Sequence, residues 1–381
     1  MRILHLMLSC FYVDGVAYQE NMLPKQNYLD GHVVKIIAST ETLENNGKLG
    51  YVEPSTYLNE YGCEVIRLPY KRFLPHLFMK KIRAYPGVYQ LVEQFDPDVI
   101  LHHGVPSFEL LTLARYKKRN PRVKLFLDSH EDFHNSARSF ISREGLHRGF
   151  YGPIARKVLP FVDKILCVNL ESMDFLQQMY RIPPDKLEFY PLGGTIFEEE
   201  ERKTRKQRKR LEIGLNDEEI LMLHTGKMQD EKKTVELLTA FSKVKDSNFK
   251  LFLVGVLGDD IEHVVKPMIS NDSRIKYVGW KDVDVLYDYL CASDIYLQPG
   301  TQSATMQNAL CCGCPVMLYP YKSHKPFLNG NGFFVETVED MVRVFLAIEK
   351  DSSILEEMGK ASLRIAFELL DYRRLASRLY Q

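Results

Sequence analysis

The chain has no apolar run near the length of about 20 residues that a membrane-spanning helix needs. It has no excess charge of either sign, because 50 acidic residues balance 50 basic ones. A neutral total argues against a dedicated nucleic-acid binder, which gathers positive charge. There is no cysteine framework either. The seven cysteines are an odd number, scattered through apolar segments as expected of thiols in a reducing cytoplasm. Cys311, Cys312 and Cys314 do cluster, but no partner pair stands at zinc-ligand spacing, so no metal site is expected there. Small residues at a crowded helix-to-strand turn are the plainer account. No Gly-x-Gly-x-x-Gly follows the first apolar run, which removes the fingerprint of a dinucleotide dehydrogenase. No Asp-x-Asp sequence follows a strand in a candidate cleft. Asp282 and Asp284 have that spacing but stand at the approach to a helix, where aspartates cap. The opening stretch Met1 to Cys10 is apolar without a small-residue cleavage site, and reads as a first core strand rather than a signal peptide.

What is present is an ordinary globular composition, 45% hydrophobic and 26% charged over 381 residues. That predicts two or three domains with substantial cores. Short apolar, β-branched runs recur at residues 3–8, 33–39, 64–68, 99–103, 124–129, 164–168 and 187–191. They recur again at 221–225, 251–254, 275–278, 295–298, 316–319 and 333–335. The runs are continuous rather than alternating, so they read as parallel strands buried on both faces. Helical patterns lie between them, among them 17–29, 82–95, 108–119, 171–179, 234–245 and 283–291. Repeated strand–helix alternation predicts a doubly wound α/β architecture, and the chain does this twice. The interruption falls after Gly193 and Gly194, where a charge run from Phe197 to Arg210 reads as a hinge and surface linker with a solvated helix face. The boundaries predicted are 1–192 for a first Rossmann-like domain and 193–366 for a second. A final amphipathic helix, 367–381, packs back on the first. Two such domains facing each other would place a crevice at the carboxyl ends of both sheets.

The strongest local signal is Gly226 to Lys232. It follows the apolar run Ile220 to Thr225 and precedes a helical pattern. A strand, a glycine turn and two lysines five apart, opening onto a helix, suit a phosphate clamp. A solvated surface pair of lysines is the alternative.

In this order and spacing the motifs resemble the GT-B retaining glycosyltransferases of family 4. The resemblance rests on Gly-x-x-x-x-x-Lys at Gly226 to Lys232, on Ala292 to Gly300, and on Asp14-Gly15-Val16 leading into a helix. Tyr277 to Trp280 and the Gly313-Cys314-Pro315-Val316 turn add to it. It covers nearly the whole chain. It implies two doubly wound Rossmann-like domains facing across a cleft. The implied activity is transfer of a sugar from a nucleotide donor, a UDP-sugar by preference, to a hydroxyl acceptor with retention of configuration. That makes the chain a hexosyltransferase-type enzyme serving cell-surface polysaccharide, glycolipid or glycoprotein synthesis, with no metal or other cofactor.

The resemblance also implies roles. Gly15 would bring bare main chain to the donor diphosphate, and Lys227 and Lys232 would neutralise it as it leaves. Val278 and Gly279 would hold the base. His130 would contact the donor sugar, with His102 and His103 as rivals, and Glu131 and Asp132 would orient it or bind acceptor hydroxyls. His134 would be peripheral. The chain departs from the family where a Glu-x7-Glu pair is usual. Gly300 and Asn308 stand at those positions, with Gln307 one place off, so only an amide remains for the ribose. The loop Gly300, Thr301, Gln302 and Ser303 would offer free N–H groups to donor oxygens. The missing carboxylates keep open a catalytically degenerate binding partner, and another GT-B enzyme such as a nucleotide-sugar epimerase is a further alternative. The acceptor is a glycan, a lipid-linked sugar or a protein. Residues 71–83 mix bulky apolar and basic side chains and could rest on an anionic membrane, which would place a cytoplasmic protein peripherally at the inner face.

Overall fold

The computed structural model describes residues 1–43 and 48–381. Its chain divides into two compact units, Met1–Pro191 joined by Tyr372–Gln381, and Leu192–Asp371. The first contains β1 (Arg2–Met7), β2 (Val33–Ser39), β3 (Glu41–Leu43), β4 (Leu49–Tyr51), β5 (Thr56–Leu58), β6 (Glu64–Leu68), β7 (Val99–His102), β8 (Lys124–Ser129), β9 (Lys164–Cys167) and β10 (Leu187–Phe189). Eight of these form one sheet in the order β10-β9-β8-β7-β1-β2-β6-β5, parallel except for β5, while β3 and β4 pair separately. The second unit contains β11 (Ile220–Met228), β12 (Phe249–Leu257), β13 (Ile275–Gly279), β14 (Ile295–Gln298), β15 (Val316–Leu318) and β16 (Gly332–Phe334). They form an all-parallel sheet ordered β13-β12-β11-β14-β15-β16. No helix among the described residues is long and apolar enough to cross a membrane.

The strands are mostly apolar because each sheet is covered on both sides. In the first unit, Leu4, Leu6, Ile100, Leu125 and Leu127 point into one core. Their neighbours Ile3, Val99, Leu101 and Phe126 enter a second core with Tyr372, Leu375, Ala376 and Leu379 from the chain's end. The last residues therefore seal a sheet face. Tyr190 Oη donates to Leu375 O at 2.6 Å, which fastens them.

Several boundaries differ from expectation. The continuous helix predicted over 367–381 is two helices, Ile354–Leu369 and Tyr372–Ser377, and the chain changes unit between them. The helix predicted over 82–95 is also two, His76–Ile82 and Val88–Phe95. Pro86 lacks an amide donor, and Arg83 and Gly87 take left-handed φ of 57° and 72°, so the ladder cannot run through. The charge run is not a linker. It forms the helix Glu199–Ile213, whose basic face grips its own unit. Arg205 and Arg208 pair with Asp288, and Arg210 donates to Asp294 and to the carbonyls of Ala292, Asn216 and Glu219.

The glycine turn at Gly226 is likewise absent. Strand β11 continues through Lys227 to Met228, with Gly226 opposite Gly255. Their φ values are 118° and 142°, and a Cβ on Gly255 would lie 1.9 Å from Gly226 O. The crowding is one-sided, since a Cβ on Gly226 would meet nothing within 4 Å, so Gly255 is the position that excludes a side chain. Gly255→Ala should therefore lower stability by about 2–4 kcal/mol, measured as a reduced urea midpoint. An unchanged midpoint would show that these strands separate freely.

Candidate functional site

In each sheet the strand order reverses once. The first sheet turns back between β1 and β7, and the second between β11 and β14. Ligands of doubly wound folds bind beyond the carboxyl ends of strands at such a reversal. Some of the expected residues lie near it, among them Gly15 after β1 and Lys232 after β11, and others do not.

In the first unit, β1, β7 and β8 carry buried polar side chains to that edge. His5 Nε2 lies 2.9 Å from Asn27 Oδ1, and its Nδ1 lies 3.1 Å from His103 Nε2. His103 donates from Nδ1 to Asp128 Oδ2 at 2.6 Å, and Gly104 N donates to Asp128 Oδ1 at 2.7 Å. Burial alone would raise the Asp128 pKa, but His103 and His130 outweigh it and hold the carboxyl well below the usual carboxylate range. Burial lowers His5 to about 3 and His102 to about 4. His102 donates to Gly104 O at 2.8 Å. Both rivals of His130 are thus buried in hydrogen bonds.

His130, just past β8, is different. Its side chain is 37% exposed, and Nε2 lies 3.8 Å from Asp128 Oδ2 and 3.9 Å from Glu20 Oε1, without a hydrogen-bond partner. Burial disfavours its cation, but Asp128 first and then Glu20 and Glu131 overcome this and raise it to about 9. His130 Nε2 thus faces two acids at ion-pair distance, a setting that favours its cation. Glu131 Oε2 accepts from Ser129 Oγ at 2.6 Å, and burial raises its pKa against the pull of Ser129, Arg83 and His130. Asp132 Oδ1 instead caps its own turn, accepting from His134 N and Asn135 N at 2.8 and 2.9 Å. His134 is exposed. Gly15 has φ 75° and would meet nothing within 4 Å if it carried a Cβ, so conformation rather than crowding requires glycine. Its N–H donates to Glu60 at 3.1 Å, while Asp14 beside it accepts from Tyr57 and Arg67.

In the second unit, Lys232 and the loop after β14 come together. The turn Asp230–Lys232 follows β11. Lys232 Nζ donates to Thr301 O and Gln302 O, both at 2.8 Å, and Thr301 N donates back to Glu231 O at 3.0 Å. Gly300 lies flat on this turn, since a Cβ there would stand 2.3 Å from Glu231 O and 2.5 Å from Lys232 C. Burial lowers the Lys232 pKa. Beneath it, His224 donates from Nδ1 to Leu297 O at 2.8 Å, and its Nε2 lies 3.0 Å from Thr234 Oγ1; burial lowers it to about 4. This neutral ring ties β14 to the start of the helix Thr234–Lys243. Lys227 is exposed on β11, and its ammonium makes no ion pair among the described residues. Val278 and Gly279 end the edge strand β13, beside Trp280, which is exposed.

Ser303 Oγ accepts from Thr305 N at 3.3 Å, opening the helix Thr305–Cys311. Gln307 is buried, and Asn308 Oδ1 accepts from Tyr287 Oη at 3.2 Å. Asn308 thus faces the helix Val283–Ala292 rather than the Lys232 turn. Asp282 occupies the position before that helix without a side-chain capping bond. The clustered cysteines are buried free thiols, and Cys314 Sγ donates to Leu290 O at 2.9 Å. A cavity of about 600 Å³ is lined by Glu219, Asp294 and Pro315, which precede β11, β14 and β15, so it lies at the opposite, amino-terminal edge of that sheet.

The expected His130 and Lys232 stand in built surroundings, but sequence reasoning missed what supports them. His5, Asp128 and His224 interrupt apolar strand runs, and an unexplained polar residue in such a run was the available signal, while His103 was read only as a rival of His130.

Residues 29–193 match a glycosyl transferase 4-like domain, and residues 205–364 match the glycosyl transferases group 1 model. The chain belongs to the group 1 glycosyl transferases. The α-monoglucosyldiacylglycerol synthase of Streptococcus pneumoniae is 25% identical over 335 residues, which is 83% of this chain and 69% of that protein. Sucrose-phosphate synthase from Thermosynechococcus elongatus superposes with a TM-score of 0.66 at 15% identity, over 99% of this chain and 97% of the other. Anabaena HepE in complex with UDP does so with the same score and identity, over 99% and 98%. These structures have the GT-B fold, and so does this group 1 glycosyltransferase, an enzyme of the EC 2.4 type.

The His130 cation is favoured in the folded chain. Its stabilisation should be complete below about 6.5, the ordinary histidine value, and should vanish as pH rises through about 9. Denaturant midpoints of the wild type and His130→Gln should converge across that window. Parallel curves would show that Asp128 does not act on His130.

Proposed function

We propose that the chain is a retaining glycosyltransferase that moves a sugar from a UDP-sugar to a hydroxyl acceptor in polysaccharide, glycolipid or glycoprotein synthesis. The observation that carries this reading is the Lys232 ammonium at the reversal point of the second sheet, with Lys227 on the preceding strand end. The reading draws support from HepE, which has been solved with UDP and with UDP-glucose. In this mechanism the acceptor hydroxyl attacks from the face the diphosphate leaves, and the departing phosphate oxygen takes its proton. The two ammonium groups offset the charge that grows on the diphosphate, so the reaction needs no metal. His130 donates to a donor-sugar oxygen. The base rests on the main chain at Val278 and Gly279, and the N–H groups of Gly300, Gln302 and Ser303 face donor oxygens, that of Thr301 being held by Glu231 O.

Lys227→Ala and Lys232→Ala separate binding from architecture. Each should weaken UDP binding about 10–100-fold by calorimetry, the range of a charged hydrogen bond. Only Lys232→Ala should also lower thermal stability, since its ammonium holds two carbonyls. Normal UDP affinity in both variants would sink the clamp.

The acceptor side points to a lipid-linked or membrane-presented substrate. Phe73, Leu74, Leu77 and Phe78 are 62%, 44%, 77% and 63% exposed, beside Lys80 and Lys81 in the last turn of the helix His76–Ile82. Apolar side chains flanked by lysines suit an anionic bilayer surface, and the pneumococcal relative is named for a diacylglycerol lipid. The protein should sediment with phosphatidylglycerol vesicles, and Leu77→Ser with Phe78→Ser should reduce the bound fraction several-fold. Equal sedimentation of the two would remove the membrane from the reading.

A further inference from the structure

Within the first unit lies a cavity of about 500 Å³ to which no role has been given so far. Lys81, Arg83, Glu131, Arg138, Ser139 and Tyr151 are among its lining residues. Its walls are held in costly conformations. Arg83 and Ala137 have φ of 57° and 55°, two of the five left-handed non-glycine residues among those described, and both line this one cavity. Such conformations each cost about 1–3 kcal/mol and gather where function demands them. The next segment, Ile141–Tyr151, is wound as a π-helix, a rare geometry associated with working sites. Its last residue, Tyr151, donates from Oη to Lys81 O, joining the two walls.

The charge is unbalanced. Arg83 donates from Nη1 to Pro106 O at 3.0 Å. Neither Arg83, Lys81 nor Arg138 is within ion-pair distance of a carboxylate among the described residues. Three cations thus surround one acid, Glu131. The effect is felt at His147 on the cavity wall, whose pKa falls to about 4 through burial first and then through Arg83 and Lys81. Glu131 directly follows His130, so the cavity adjoins the side chain assigned to the donor sugar. Two guanidinium groups and an ammonium, with the Ser139 hydroxyl, supply more donors than the two oxygens of a carboxylate can use. A phosphoryl group, with three oxygens and up to two negative charges, uses more of them.

We propose that this cavity binds a phosphoryl group carried by the acceptor, countered by Lys81, Arg83 and Arg138, with Glu131 beside the acceptor hydroxyl. The assignment to the acceptor rests on the transferase reading above. The phosphoryl group belongs either to a soluble glycan phosphate or to a phospholipid headgroup, and the cavity chemistry is the same for both.

The test uses the full chain and glycerol 3-phosphate, with glycerol as the uncharged control and UDP titrated in parallel. The wild type should bind glycerol 3-phosphate and not glycerol. Lys81→Gln with Arg138→Gln should raise the dissociation constant about tenfold or more, as loss of charged contacts requires, and leave UDP affinity unchanged. Both side chains are exposed, so this variant keeps the fold where Arg83→Met risks losing it. Failure of the wild type to bind glycerol 3-phosphate, or equal binding by the variant, overturns the proposal. Sedimentation with phosphatidylglycerol but not phosphatidylcholine vesicles, reduced in the variant, assigns the phosphoryl group to a lipid. Indifference to the vesicles with glycerol 3-phosphate binding retained assigns it to a soluble acceptor. Normal UDP binding without glycerol 3-phosphate binding defeats the cavity alone. The reverse outcome defeats the transferase reading and with it the assignment to an acceptor.

Discussion

Parallel strands finish on a common edge, and a sheet whose strand order reverses once must open a gap there between the two outgoing connections. Both units obey this constraint. In the first, the connections leaving β1 and β7 part around the His5, His103 and Asp128 chain. In the second, those leaving β11 and β14 part around the Lys232 turn. His130 and Lys232 stand beside these two gaps. The larger cavity at the opposite edge of the second sheet is lined by loops that lead into strands, where no such parting occurs.

The two gaps are stabilised differently. Burying a carboxylate costs several kcal/mol unless partners meet its lone pairs. Asp128 has His103, the Gly104 amide and the nearby His130, so it remains ionised and acts as a fixed negative charge beside a half-buried histidine. In the second unit the fixed element is a cation. Lys232 is anchored by two main-chain carbonyls rather than by an acid, which leaves its charge uncancelled. A neutral His224 beneath it supports the loop without adding a charge of its own.

The strand runs, their parallel character and the twofold repetition were legible in the sequence, because doubly buried strands must be apolar and continuous. Helix ends were less so. Pro86 gave a warning at one break, but the left-handed turn at Arg83 has no composition signature. The charge run from Phe197 to Arg210 misled because charge alone does not say which side is solvated. Its arginines are clasped by Asp288 and Asp294, about eighty residues later. Gly226 misled in another way. Its partner, Gly255, lies in a different strand, and only pairing reveals that the strand continues past Gly226. His130 and Lys232 could be read from position in a pattern. The groups that set the charge of His130 could not all be read, since Glu20 comes from a helix more than a hundred residues earlier.

Gly300 carries a consequence for how this chain can vary. Its α-carbon is pressed onto the peptide linking Glu231 and Lys232. A single codon change could not place a carboxylate there, because the main chain occupies the volume that its first side-chain atom would fill. The glycine is therefore fixed by backbone geometry. Replacing it would need the turn and the loop to be rebuilt together.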